Sequence, residues 1–273
     1  MTRPLATLIN VPQRFILPDE ALMKSFFLSS FFAVVSALSL HAQVSNLAVI
    51  NYSGFNPAAP VAPGSIVSGY GSFGTVATTA TSSVNPLPTS IANISVRVGS
   101  TLAPLYFVSS GQINFVIPAA TPMGRQTVEV LNGATVISRG SVNIWEAFPA
   151  LASSDTTPTS QGIIQNQDFS VNGQNSRGRR GEILQLYATG CGATSPAVAD
   201  GVPPAGLSPT VLPVTANVSG IDATVQFAGA HPQFPGICQI NIVVPDRPFI
   251  TGQVQILVSV SGIVSNPVSA WIQ

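Results

Sequence analysis

QINFVIP at residues 112–118 and QINIVVP at residues 239–245 are two copies of one stretch, and they decide the fold. Their seven positions agree in identity or in residue type, in the same order. In the first copy Ile113, Phe115 and Ile117 recur at every second position, which is the period of a β-strand with one face on a core. The stretch therefore predicts a strand that occurs twice, and with it an internal repeat.

Further matches surround both copies in the same order along the chain. They pair PGSIVSGYG (63–71) with RGEILQLYA (180–188), GRQTVEV (124–130) with GQVQILV (252–258), Asn132–Gly133 with Ser261–Gly262, and Trp145 with Trp271. Together with the first pair these are five matches in register, which chance does not produce. The repeat predicts two domains, residues 43–147 and 148–273, with a boundary near residues 148–150, and each has the usual size of a β-sandwich.

The composition favours strands and turns over helices. Gly and Pro contribute 23 residues each, and strand-forming Val, Ile, Thr and Phe are abundant. Apolar and polar residues alternate at 94–98 and again at 253–260, and Asn132–Gly133 is a hairpin signal because both residues tolerate positive φ. We therefore predict an all-β fold of two tandem immunoglobulin-like β-sandwich domains.

The charge balance argues against nucleic acid as a partner. Charged residues make up only 7% of the chain and the net charge is zero, so no basic stripe is available to neutralise phosphates. The only basic cluster, at Arg177, Arg179 and Arg180, lies in a Gly-, Asn- and Ser-rich loop. It is interpreted as a solvated loop, with contact to an anionic surface as the alternative.

Residues 1–42 predict an export signal. The apolar run FFLSSFFAVVSALSL (26–40) follows Lys24 and precedes Ala42, as in a secretory signal peptide cleaved after a small residue. Met23 is a more natural start, and the alternative to cleavage is a signal anchor that stays attached. No other run approaches the length of a membrane span, so we expect none in the mature chain. The expected location is secreted, or cell-surface or periplasmic, in a bacterium.

Three stretches carry a family resemblance: APGSIVSGYG (62–71), LPTSIANISVRVGSTLAPLYFVSSGQINFVIP (87–118) and RGEILQLYATGCG (180–192). They resemble the Solibacter uncharacterised C-terminal domain family, which occurs in secreted proteins of acidobacteria. The resemblance covers about residues 47–272, and its second half looks like an IPT/TIG-type immunoglobulin-like fold. It implies fold and export. Because the family has no assigned activity, the resemblance implies no functional residues.

The inventory of reactive side chains predicts that the protein is not an enzyme and holds no metal or cofactor. The mature chain has one histidine, His231 in a Pro-rich loop, which we interpret as a surface residue. No G-x-S-x-G elbow and no metal-ligand spacing occur. The acidic residues are scattered, and the alternation around Glu129 places that side chain in solvent.

Cys191 and Cys238 are the only cysteines, and both belong to the second unit. Export permits a disulfide, so we predict a Cys191–Cys238 bridge; the alternative is two buried free thiols. Their counterparts in the first unit lie near Gly74 and Gly111, which are not cysteines. The two units are therefore expected to be stabilised differently.

The leading functional hypothesis is a non-catalytic structural or interaction module, with another extracellular or cell-surface protein as its partner. Loops at the ends of sandwiches often bind, and the candidates here are 75–86, 171–180 and 229–237. The alternative is a carbohydrate-binding module with a glycan as ligand, which needs an exposed aromatic platform. The candidate binding residues in loops are Phe73, Arg177, Arg179, Arg180, His231 and Phe234, and the aromatic candidates for a platform add Tyr106, Phe107, Phe169 and Trp271. Most of these aromatic residues are expected to pack in cores.

Overall fold

A computed structural model describes residues 44–51, 58–74, 79–82, 84–155, 157 and 160–273. Within these residues the protein has nineteen β-strands and no helix, so the all-β prediction is confirmed. It follows that the described part contains no helix able to cross a membrane. The predicted signal region, residues 1–42, and residues 75–78 and 83 of the loop at 75–86 lie outside the described residues.

The first half of the chain forms two five-stranded sheets that face each other across an apolar core. Their orders are β1-β10-β9-β5-β6 and β2-β3-β8-β7-β4. Residues that alternate in the sequence alternate in burial, as in β5, where Ile94, Val96 and Val98 point inward. The ten strands are β1 (Ser45–Asn46), β2 (Ala48–Asn51), β3 (Ile66–Tyr70), β4 (Ala80–Thr81), β5 (Ile94–Val98), β6 (Thr101–Leu102), β7 (Leu105–Val108), β8 (Gln112–Val116), β9 (Gly124–Asn132) and β10 (Thr135–Ile144).

The second half forms one hydrogen-bonded network of nine strands around a second apolar core. Its long strand β15 belongs to both faces, since residues 221–223 pair with β14 and residues 224–230 pair with β16. The nine strands are β11 (Ala150–Leu151), β12 (Ile164–Gln165), β13 (Ile183–Thr189), β14 (Val214–Val218), β15 (Ile221–Ala230), β16 (Cys238–Val243), β17 (Gly252–Val260), β18 (Ile263–Val264) and β19 (Val268–Ile272).

The repeated stretches occupy equivalent places in the two halves. QINFVIP provides β8, between β3 and β7, and QINIVVP provides β16, between β13 and β15. The predicted hairpin at Asn132–Gly133 joins β9 to β10, and Gly133 has the positive φ of 57° that the turn requires. Trp271 lies in the closing strand β19, whereas Trp145 directly follows β10.

The halves pack on each other through a third apolar cluster, which includes Ile66, Tyr106, Tyr187 and Ile237. No strand pairing among the described residues crosses from one half to the other. The division into two tandem immunoglobulin-like domains, 43–147 and 148–273, stays a prediction, and this separation of the pairings supports it. The third cluster means that the halves are in direct contact.

Candidate functional site

The two cysteines form the predicted disulfide. Cys191 and Cys238 are joined with their Cα atoms 6.5 Å apart, across a sequence separation of 47 residues. Cys238 begins β16, and Cys191 lies just beyond the end of the neighbouring strand β13. The bond therefore links the end of β13 to the start of β16, and we call this pair of strand ends the corner of the second half.

Phe73 is not a binding residue, and the structure corrects that expectation. Its side chain is 0% exposed and belongs to the core of the first half. The chain turns back after β3, and the Phe73 amide donates to the Ser110 carbonyl at 2.8 Å. Because the ring can bury its whole apolar surface there, it packs inward although it follows a Gly-rich turn.

His231 is also buried, contrary to the prediction of a surface histidine. Only 4% of the residue is exposed, and its ring lies 5.5 Å from the Tyr187 ring and 4.9 Å from the Phe234 ring. The backbone amides of Gln233 and Phe234 donate to its Nδ1, at 3.1 and 3.2 Å. Burial lowers the pKa of His231 to about 4, so the ring is neutral at pH 7 and carries its proton on Nε2.

The loop that His231 organises holds the junction between the halves. The Tyr106 hydroxyl donates to the Pro235 carbonyl at 2.7 Å, and Thr189 Oγ1 donates to the Gly236 carbonyl at 3.0 Å. Gly236 has a φ of 81°, and a Cβ there would lie 2.8 Å from Ile66 Cγ1. Only glycine allows so close an approach. The predicted binding loop 229–237 is thus largely an internal contact, with the Phe234 side chain half-buried.

An apolar groove lies beside this contact, at the junction of the halves. It encloses about 280 Å³, and we call it the junction groove. Its apolar lining includes Pro63, Val116, Met123, Ala197, Val198 and Phe234. Met123 is 54% exposed at its rim, and Trp145, which adjoins the lining residue Glu146, is 48% exposed. Sequence reasoning missed this groove because it draws on five separate segments of the chain.

The charged groups at the junction groove are acidic. Glu146 and Asp200 line it, no Lys or Arg does among the described residues, and its histidine is the neutral His231. Asp200 Oδ1 accepts a hydrogen bond from the Ala119 amide at 2.7 Å, which ties the loop at 197–204 to the first half. The groove therefore combines small apolar side chains with negative charge.

The predicted basic cluster divides between two places. Arg177 and Arg179 line a second cavity of about 220 Å³, the polar cavity, whose other lining residues are Asn166, Gln167, Asp168, Glu182 and Gln273. The Arg177 guanidinium lies over the Trp271 ring, 5.2 Å from its centroid. Arg180 points elsewhere: its Nε lies 3.8 Å from Asp246 Oδ1, and its Nη1 donates to the Pro248 carbonyl.

Glu129 is not solvated as predicted. Its side chain is 11% exposed and lies between two arginines of neighbouring strands, with Arg97 Nε at 3.0 Å and Arg139 Nε at 2.8 Å. Hydrogen bonds from Arg97 and then Arg139 hold the pKa of Glu129 below its usual value. Alternation identified the outer face correctly, but the flanking arginines cover the carboxylate.

Of the aromatic candidates for a glycan platform, Tyr106 is buried in the junction, and burial raises the pKa of its hydroxyl. Phe107, Phe169 and Trp271 are half-buried. Among the described residues no group of three or more His, Cys, Asp or Glu side chains is placed to hold a metal ion. The polar cavity beside Trp271 and the junction groove are therefore the two candidate sites.

No family model and no curated protein matches the chain. Among solved structures, SGBP-B of the Bacteroides ovatus mixed-linkage glucan utilization locus, in complex with a mixed-linkage heptasaccharide, is similar at 10% identity and a TM-score of 0.32 over 78% of this chain and 43% of that one. A beta-glycosidase from Bacteroides vulgatus has 11% identity and a TM-score of 0.21 over 85% and 25%, respectively. Domains 4–9 of the surface layer protein SbsC have 12% identity and a TM-score of 0.25 over 83% and 30%. The chain spans less than half of each, and likenesses this weak carry no argument about its function.

Proposed function

We propose that the chain is an exported, non-catalytic interaction module that acts at the cell surface or outside the cell. The observation that carries the proposal is the junction groove, an apolar surface built where the two halves meet. Concave apolar sites between packed units are common places for binding. The exposed Met123 gives the groove an apolar rim residue of a type that binding surfaces favour.

Three observations support export. Disulfides persist in oxidising compartments, and Cys191 and Cys238 are bonded. The run at 26–40 has the composition of a secretory signal. A low content of charged residues, 7%, also leaves a surface of Ser, Thr, Asn and Gln. These features belong together in a protein that folds after crossing a membrane.

The state of the titratable groups supports a non-catalytic role. His231 uses Nδ1 as an acceptor for two backbone amides and carries a proton on Nε2, so it has no free nitrogen to act as a base. Glu129 is held by two arginines, and Asp155 accepts hydrogen bonds from the Thr157 amide and hydroxyl within its own turn. These carboxylates serve the fold.

The occupant proposed for the junction groove is an extended segment of another extracellular or cell-surface protein. Small apolar side chains of that segment fit between Val116, Ala197 and Val198. Lysine or arginine in it would lie near Glu146 and Asp200, whereas acidic residues would be repelled. The groove therefore favours a basic, aliphatic segment.

Photo-crosslinking in the producing cell tests this proposal. A photoreactive amino acid at Met123 should give a protease-sensitive adduct in the exported fraction, and Ala197→Trp, which fills the groove, should abolish it. The matched control places the same group at Val264, which is 57% exposed and does not line the groove. Equal labelling at both positions, or labelling unaffected by Ala197→Trp, would contradict the proposal.

Glycan binding is the second candidate function, and the polar cavity is the specific observation in its favour. Trp271 lies against Arg177 there, and amide and carboxylate side chains surround them. The amides both donate and accept hydrogen bonds and the carboxylates accept them, so together they can bond to sugar hydroxyls. This site is separate from the junction groove, since the two share no lining residue.

A further inference from the structure

Arg177 is the feature of the polar cavity that the fold does not explain. Its Nε donates to the Gln174 carbonyl at 3.0 Å, and the guanidinium lies over Trp271. No hydrogen bond or ion pair joins its terminal amino groups to any of the residues that the structure describes. A guanidinium that is oriented by a ring and keeps both terminal amino groups open is arranged to receive a planar anion.

A buried polar network fixes the loop that carries Arg177. Asn172 donates to the Trp271 carbonyl at 2.9 Å and accepts from the Trp271 amide at 2.8 Å, so its side chain continues the sheet beyond β19. Asn172 also donates to Asn166, and Asn166 donates to the Ser176 carbonyl at 3.0 Å. Buried, satisfied networks of this kind specify one geometry. Arg177, directly after Ser176, is therefore held in place before any ligand arrives.

The other charged groups of the polar cavity exclude some anions. Asp168 and Glu182 line it together with Arg177 and Arg179, so the charges of these four side chains balance. Phosphate or sulfate would be repelled by these two carboxylates. A ligand with one carboxylate and several hydroxyls would instead offer an anion to the arginines and hydrogen-bond donors to the carboxylates. The Arg179–Glu182 pair, at 3.6 Å and largely exposed, is weak enough to exchange partners.

The remaining lining groups match hydroxyls. Gln167 accepts from the Ile183 amide through Oε1, at 3.0 Å, which fixes its amide at the cavity. Asp168 lines the cavity as an acceptor, and its Oδ1 accepts from the amide and hydroxyl of Ser170. The volume of about 220 Å³ lies below the roughly 300 Å³ at which drug-sized pockets begin, so the cavity suits a single sugar ring.

We infer that the polar cavity binds a uronic acid residue of an acidic polysaccharide. The sugar carboxylate would pair with the terminal amino groups of Arg177, in the two-pronged geometry that guanidinium and carboxylate favour. Its hydroxyls would bond to Gln167, Asp168 and Glu182. This inference rests on glycan binding, the second candidate function, and is independent of what occupies the junction groove.

Calorimetry on the mature chain tests the inference with trigalacturonic acid, a mannuronic acid trisaccharide, the methyl ester of the former and cellotriose. At least one of the two acids should bind, and esterification should weaken binding by about tenfold or more, because a charge-assisted pair is lost. Arg177→Gln should cause a similar loss. Arg177→Lys should recover part of the affinity, since it keeps the charge without the planar fork.

The matched control is Arg125→Gln, which removes an exposed arginine from β9, far from the cavity in sequence, and should leave the affinity unchanged. Binding that survives Arg177→Gln, an ester that binds as tightly as the acid, or no binding of either acid at millimolar concentrations would each overturn the inference. Crosslinking from Met123 that persists in the Arg177→Gln chain would show that the junction groove works independently.

Discussion

The two halves cross between their sheets in different ways. In the first half, β6 pairs with one sheet and β7 with the other, and Ala103–Pro104 separates them. In the second half, the single strand β15 makes both sets of pairs without interruption. Proline lacks the amide that a continuous ladder needs, so Pro104 favours a break at this place. The break in the first half thus coincides with a proline, and the uninterrupted strand β15 contains none.

The halves also stabilise the equivalent pair of strand ends by different groups. In the second half, the end of β13 is bonded to the start of β16 through Cys191 and Cys238. In the first half, the end of β3 and the start of β8 enclose the buried ring of Phe73, next to Ser110. A covalent link limits the unfolded chain, whereas a buried ring stabilises the folded one. The repeat therefore conserves the strand arrangement while the stabilising group differs.

Phe73→Ala should have the largest effect, because it empties the corner of the first half. We expect a loss of about 3–5 kcal/mol in the free energy of unfolding, the usual range for removing a buried phenylalanine ring. Urea unfolding followed by tryptophan fluorescence measures it. Phe249→Ala, at a ring that is 61% exposed, is the control and should change stability little. A loss below about 1 kcal/mol for Phe73→Ala would show that the ring does not hold the corner.

The double variant Cys191→Ser/Cys238→Ser should lower the free energy of unfolding of the second half by about 3–4 kcal/mol, because the bond no longer limits the conformational entropy of the unfolded chain. Hydrogen exchange should show the loss in β13 and β16 and leave β3 and β8 protected. Unfolding of the unreduced and reduced native chain in urea gives the same comparison without substitution. Equal exchange in both halves would contradict the different roles assigned to the two corners.

Between pH 6.5 and pH 4.5, acid should loosen the second half and the junction while sparing the first half. His231 has a folded pKa of about 4 against 6.5 for the free side chain, so the unfolded chain binds its proton first. Its contribution, about 3 kcal/mol, is present above pH 6.5 and is lost as the pH falls towards 4. His231→Asn, which keeps a side-chain acceptor for the amides of Gln233 and Phe234, should flatten this dependence. An unchanged pH profile would show that His231 does not cause the acid sensitivity of the second half.

Of the changes considered, Glu129→Gln should have the smallest effect on the free energy of unfolding. The counterpart of Glu129 in the second half is Leu257, opposite Asn217, so only the first half carries charge at this place in the sheet. Glu129→Gln should cost about 1 kcal/mol near pH 7, since two charge-assisted bonds weaken. The folded pKa is lowered, so the contribution is present above the ordinary value of 4.5 and is lost below it. Thermal unfolding at pH 7 and pH 3 measures it, and a pH-independent difference would contradict the assignment.

The sequence predicted the strands well because alternation is a local pattern, and alternation at 94–98 indicated the inward face of β5. The disulfide was predicted because the chain has only two cysteines and an expected export signal. Contacts that depend on register across strands were not predictable. The arginines that cover Glu129 come from strands 32 and 10 residues away, and the alternation of β9 alone does not reveal them.

The candidate sites were predicted only in part. The basic loop was identified, but its relation to Trp271 depends on Asn172 bonding to the main chain of β19. His231 was interpreted as a surface residue, and Phe73 as a possible binding residue, because glycine- and proline-rich neighbours are typical of exposed loops. The structure buries both because each fills a corner that only tertiary packing creates.

Intact mass measurement of the chain in the extracellular and periplasmic fractions tests most directly that this is an exported module closed by one disulfide. We expect a polypeptide that begins at Gln43 and lacks residues 1–42. Its mass should be lower, by two hydrogens, than that of the same polypeptide with both cysteines reduced. A chain that stays in the cytoplasm with residues 23–42 attached and with Cys191 and Cys238 both open to alkylation would contradict it.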